Sequence, residues 1–159
     1  MGDFAELNIR FNLKKDTPND VIDVLEYMIG VNKKCSTLPS HDFFLKEKWD
    51  TMLNSFSDDT GVLGHFSSLI YNERLSYWSL CVRSIYRDRG EAELFFDWIF
   101  HYIDEVWLSF LGFLNRDEVE HPYLIYYTEK GIQFLAVRCD EQELGHDVIN
   151  KWSLEITGN

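Results

Sequence analysis

The sequence predicts an α+β fold: one antiparallel sheet with its two main helices on one face. Three observations carry this. Residues 4–14 alternate apolar and polar side chains, the period of two that marks a half-buried strand. Residues 19–29 and 91–103 place apolar side chains at helical spacing. Runs at 66–87 and 123–138 are each split by a short polar turn, which is the pattern of hairpins.

Along residues 4–14, Leu7, Ile9, Phe11 and Leu13 form one set and Glu6, Asn8, Arg10 and Asn12 the other. Thr17-Pro18-Asn19-Asp20 reads as a helix start, with Thr17 as cap, Pro18 at the first helical position and Asp20 near the positive end of the dipole. Val21, Ile22, Val24, Leu25, Met28 and Ile29 give the inward face, and Gly30 suits a left-handed C-cap. Ser40 is expected to cap a short helix running to about Leu53, with Phe44, Trp49 and Leu53 inward. Ser57–Gly61 is a turn cluster.

Phe66–Tyr71 and Tyr77–Arg87 read as two strands joined through Asn72–Leu75. Within the second, Trp78, Leu80 and Val82 share one face, and Tyr77, Ser79, Cys81 and Ile85 share the other with Arg83 and Arg87. Glu91–Ile103 is the second helix, with Ala92, Phe95, Phe96, Ile99 and Ile103 inward. A strand over about Leu108–Leu114 precedes the hairpin Tyr123–Thr128 and Ile132–Arg138, which turns at Glu129-Lys130-Gly131. Val148–Ile156 ends the chain as a short helix or an edge strand.

The first six elements follow the order strand, helix, strand, strand, helix, strand. That order matches the split βαβ plan of ferredoxin-like sheets, here extended by a C-terminal hairpin. With three prolines and nine glycines in 159 residues and no linker, residues 1–159 are expected to form a single α+β domain.

Composition narrows the function classes. Fifteen Lys and Arg against 27 Asp and Glu leave a net charge of −12. Such a chain is a poor direct binder of nucleic acid, whose phosphates need a basic surface. No apolar run is long enough for a membrane helix. The start MGDFAELNIR lacks the features of a signal peptide and of a myristoylation signal. Cys35, Cys81 and Cys139 form no CxxC pair, which suits a reducing cytoplasm and excludes a cysteine-rich zinc site.

Three groups of residues offer chemistry. Glu93, Asp97, His101 and Glu105 stand at steps of four, with Asp104 beside the last. This spacing suits one helical face able to hold a metal or to do acid–base work, or simply a solvated face. Asp117, Glu118, Glu120 and His121 crowd one loop, and His121 would join Asp97, His101 and Glu105 as a metal ligand if that loop folded back over the second helix. Glu141, Glu143, His146 and Asp147 form an acidic segment. No nucleophile elbow, Walker loop or dinucleotide-binding glycine pattern occurs, and no cofactor is implied.

Aromatic and acidic residues therefore carry the functional expectation. Asp20 and Asp23 on the first helix, with Asp97 and Glu105 on or after the second, are expected to form a broad acidic surface that steers a basic protein partner. Tyr77, Tyr123 and Tyr127 are expected to anchor the contact from the sheet. The reading is a non-enzymatic, cytoplasmic binding protein. Its small, acidic, Trp-containing character is similar to that of bacterial immunity proteins and phage-encoded inhibitors. A homodimer holding a small ligand between sheets and a metal-binding module on the second helix are the alternatives.

Overall fold

The computed structural model describes residues 4–32, 34–35, 37–55, 66–138 and 153–156. It is an α+β structure built on one antiparallel sheet. In chain order, β1 (Phe4–Asn12) leads into α1 (Asn19–Met28), then β2 (Phe66–Asn72) and β3 (Tyr77–Arg87). Next come α2 (Glu91–Ile99), β4 (Phe110–Arg116), β5 (Tyr123–Thr128), β6 (Gly131–Arg138) and β7 (Ser153–Ile156). The sheet order is β2-β3-β1-β4-β5-β6-β7, and every neighbouring pair is antiparallel. Three strands therefore lie beyond β4.

Alternation places β1 at the centre of the core. Ala5, Leu7, Ile9 and Phe11 are buried on one face. They share one hydrophobic core with Val21, Val24, Leu25 and Met28 of α1 and Phe95, Phe96 and Ile99 of α2. Both helices thus cover the same face. Burying their apolar stripes, and not helix propensity, is what holds two helices this short.

Several expectations are corrected. Thr17 does not cap α1: its hydroxyl donates to the Lys14 carbonyl at 2.7 Å. Pro18 stands at the N-cap position instead, with no side-chain cap bond, and Asp20 Oδ1 accepts from the Val21 amide at 3.0 Å. Gly30 does take the left-handed conformation, with φ of 81°. The α-helix of the second helical segment stops at Ile99 and continues as a 3-10 turn over Phe100–Tyr102. Ile103 is nevertheless buried and bridges to Leu13. At the C-terminus the strand alternative holds, because β7 pairs with β6. The Ser57–Gly61 turn, Cys139 and the acidic segment from Glu141 to Asp147 lie outside the described residues.

The expected helix between Ser40 and Leu53 is a single 3-10 turn, Asp42–Leu45, followed by irregular turns. Its aromatic side chains are drawn to two different helices. Phe43 is fully buried, stacked on Trp98 at 6.0 Å and set edge-on to Phe95 at 5.6 Å. Trp49 reaches the other way, to Tyr27 of α1 at 5.8 Å. Of the three residues expected inward, Leu53 is buried, whereas Phe44 and Trp49 are half-buried. This segment thus contacts both α1 and α2.

Candidate functional site

The sheet face opposite the helices carries one row of side chains in register: Phe66, Arg83, Asn8, Phe113, Leu124 and Leu135. Arg10 stands exposed beside this row. Arg83 Nε donates to Glu6 Oε1 at 3.2 Å, and Asn8 Nδ2 donates to the same oxygen at 3.0 Å. Together these strands shape a concavity of about 690 Å³, lined among others by Asn8, Arg10, Asn12, Cys81, Phe66 and Phe110. Phe66 and Ile70 of β2 are exposed here, by 57% and 62%. The side chains on β1 and β3 include Glu6, Arg10, Arg83 and Arg87, a positive balance in a chain that is otherwise acidic.

At one end of this face lies a feature that sequence periodicity misses. The expected strand over Leu108–Leu114 begins only at Phe110. Before it, Val106, Trp107 and Leu108 form a loop exposed by 76%, 63% and 52%, and Phe110 at its end is exposed by 54%. The loop is tied down. The Leu108 amide donates to the Tyr127 carbonyl at 2.9 Å, the Tyr127 amide to the Ser109 carbonyl at 2.9 Å, and the Ser109 amide to the Val106 carbonyl at 3.0 Å. Leu108 is held at φ 63°, a left-handed conformation that costs a bulky residue about 1–2 kcal/mol. A rigid backbone thus presents four large apolar side chains to solvent, with Asp104 and Glu105 immediately before them.

Glu93, Asp97 and Glu105 each take a separate partner. Asp97 Oδ2 meets His41 Nε2 at 3.2 Å. The His41 Nδ1 accepts from the Phe43 amide at 3.2 Å, so the ring proton sits on Nε2 and is donated to Asp97. Glu105 lies past the 3-10 turn, where its Oε1 accepts from the Asn12 amide at 3.0 Å. Glu93 pairs with Arg116. The loop holding His121 follows β4, whose Arg116 is opposite Ala5. Glu105 is fixed at Asn12, seven residues further along β1, about 23 Å away. His121 therefore does not join His101 and Glu105, and among the described residues no three His, Cys, Asp or Glu side chains gather as metal ligands.

The tyrosines divide by face. Tyr77 lies opposite Asn72 on the face away from the helices, as expected. Tyr123 and Tyr127 flank the buried Ile125, and both pack against the helix-side core. Tyr123 lies under the Arg116 guanidinium at 5.5 Å, and Tyr127 contacts Phe100 at 5.4 Å. Both are half-buried on the helix side of the sheet. Tyr126, half-buried on the opposite face, sets its ring at a tilt to Phe110, with centroids 5.4 Å apart. Asp20 is exposed and Asp23 half-buried on α1.

A second polar cluster sits at the start of α2. Asp88, whose side chain is 2% exposed, accepts from the amides of Gly90 and Ala92 through Oδ1 and from Arg116 through Oδ2. Burial alone lowers the proton affinity of Arg116. The Glu93 and Asp88 carboxylates outweigh it and hold the guanidinium above its ordinary value, so it stays charged. Tyr86 is buried nearby, and its phenol is pushed well above 10, first by burial and then by Asp88. In this cluster Asp88 accepts from the amides at the start of α2 while Arg116 bridges the Asp88 and Glu93 carboxylates.

The Tyr86 hydroxyl has no hydrogen-bond partner among the described residues. Tyr86→Phe is therefore expected to be neutral or stabilising by about 1 kcal/mol near pH 7. Unfolded tyrosine ionises near about pH 10, while folded Tyr86 keeps its proton. Stability is thus intact below about pH 10 and declines as pH rises toward the raised folded value. Equilibrium unfolding of both proteins at neutral and alkaline pH checks this: the phenylalanine variant should lose less stability on alkalinisation.

No protein-family model, curated protein or solved structure matches the chain. Among the described residues no helix is long and apolar enough to cross a membrane.

Proposed function

We propose that this is a non-enzymatic, acidic protein-binding domain that holds a basic protein partner through the Val106–Phe110 loop. The observation that carries the reading is the fixed exposure of Trp107, Val106, Leu108 and Phe110. Contiguous exposed apolar surface marks interaction sites, and tryptophan and arginine are the residue types that dominate interface energy. Asp104 and Glu105 beside the loop, and the net charge of −12, favour a partner that is basic around its contact patch. Asp20, Asp23 and Asp97 serve this reading as long-range steering charges. A cytoplasmic immunity or inhibitor protein acting on a nucleic-acid-handling enzyme is its concrete form, with no direct contact to nucleic acid. We also read β2-β3-β1-β4 with the two helices as a ferredoxin-like unit, extended by β5, β6 and β7. The antiparallel order of those four strands supports this.

Contact and steering separate kinetically. Trp107→Ala combined with Phe110→Asp should raise the dissociation rate from the partner roughly 30-fold or more, as loss of a hot-spot anchor does. Asn substitutions at Asp20, Asp23 and Asp97 should slow association and flatten its salt dependence, with dissociation little changed. Surface plasmon resonance across a salt series reads both. Unchanged dissociation in the first variant would remove the loop from the interface.

A further inference from the structure

The sheet ends on one side in β2, which pairs only with β3 among the described strands. A terminal strand offers a row of backbone donors and acceptors, and proteins guard such edges with lysine, proline, bulges or short strands. The β2 strand, Phe66-Ser67-Ser68-Leu69-Ile70-Tyr71-Asn72, has none of these guards. Its seven residues include no charge and no proline, and its register with β3 runs without a shift. Phe66, Ile70 and Tyr71 are exposed.

We infer that β2 pairs antiparallel with β2 of a second copy, joining two sheets across a two-fold axis near Ser68. Charge argues for this edge. Two copies each carrying −12 repel one another, so self-association needs a strand free of carboxylates, which β2 is. Register argues for the axis. Centred on Ser68, Phe66 of one copy faces Ile70 of the other, and the two-fold repeats the contact. Phe66 and Ile70 lie on one sheet face, so both apolar pairs form side by side, and aromatic–aliphatic pairs of this kind stabilise antiparallel strands. The interface is isologous and closes at two copies.

This inference stands apart from the partner-binding loop, and the experiment separates them. Sedimentation velocity over a concentration series should show a monomer–dimer equilibrium for the wild type. It should also show one for Phe110→Asp, which lies off the β2 edge. Ile70→Lys should be monomeric with an unchanged melting temperature. In a background with Cys35, Cys81 and Cys139 replaced by serine, Ser68→Cys should oxidise to a disulfide-linked dimer, since residue 68 faces its own copy within disulfide reach. A wild type that stays monomeric throughout would overturn the inference. So would a dimer that survives Ile70→Lys but is lost in Phe110→Asp, or a dimer in which Ser68→Cys fails to cross-link.

Discussion

Gly112→Ala is expected to leave the protein largely unfolded. Gly112 sits in β4 opposite Ile9, at φ 144°, next to a register shift in the β4–β5 pairing. A Cβ there would lie 1.8 Å from the Asn8 carbonyl oxygen, 2.8 Å from its carbon and 2.9 Å from the Ile9 Cα. All three atoms are backbone of β1, which is clamped between β3 and β4. Neither side can yield without breaking the ladder, so the loss should exceed about 4 kcal/mol, the range reserved for severe backbone or core damage. Against a typical stability of about 5–15 kcal/mol, that is most of the fold. Gly131→Ala is the control. Its φ is 126°, but nothing lies within 4 Å of the added carbon, so it should cost only about 1–3 kcal/mol of backbone strain. Urea denaturation monitored by tryptophan fluorescence compares the two, and similar midpoints would contradict the close-approach argument.

Arg116→Met carries the second large effect. It removes the cation that donates to Asp88 at 2.7 Å and to Glu93 at 2.6 Å. The Asp88 carboxylate is then left buried with only the Gly90 and Ala92 amides, at 3.2 and 3.4 Å. Breaking a buried pair on one side costs about 3–5 kcal/mol, because the remaining charge is stranded. The methionine retains much of the packing over Tyr123, so the loss reports charge. Adding Asp88→Asn should restore a good part of it, since the amide oxygen still accepts from the helix start. Chemical denaturation of the two single variants and the double gives the coupling. Additive losses would mean that Arg116 and Asp88 stabilise the fold independently.

The strands were legible because alternation is local. Tyr77–Arg87 reads from sequence with its observed ends, and the opposite faces of Leu80 and Cys81 follow from the period of two. Other features depend on contacts distant in sequence. Phe43 and Trp49 give no clean helical period because they answer to two helices at once. The run from Leu108 to Leu114 looks like one strand, yet the left-handed turn at Leu108 and the shift between Phe110 and Gly112 are set by bonds to β5. The steps of four from Glu93 to Glu105 assume an unbroken helix, and the 3-10 turn after Ile99 ends that assumption. Tyr123 and Tyr127 face the core because Ile9 fixes Gly112 and thereby the register of β5. No composition rule reports that. The signal available for the proposed binding loop was Val106-Trp107 directly after two carboxylates, an apolar pair that neither the expected helix nor the expected strand used.

Native mass spectrometry of the untagged protein, isolated at low salt from its own cells, tests the central claim most directly. The wild type should carry a basic protein in one-to-one ratio. The Trp107→Ala/Phe110→Asp variant, folded to the same melting temperature, should emerge without it. A variant that retains the partner, or a wild type that emerges with none, would contradict the assignment of this surface as the binding site.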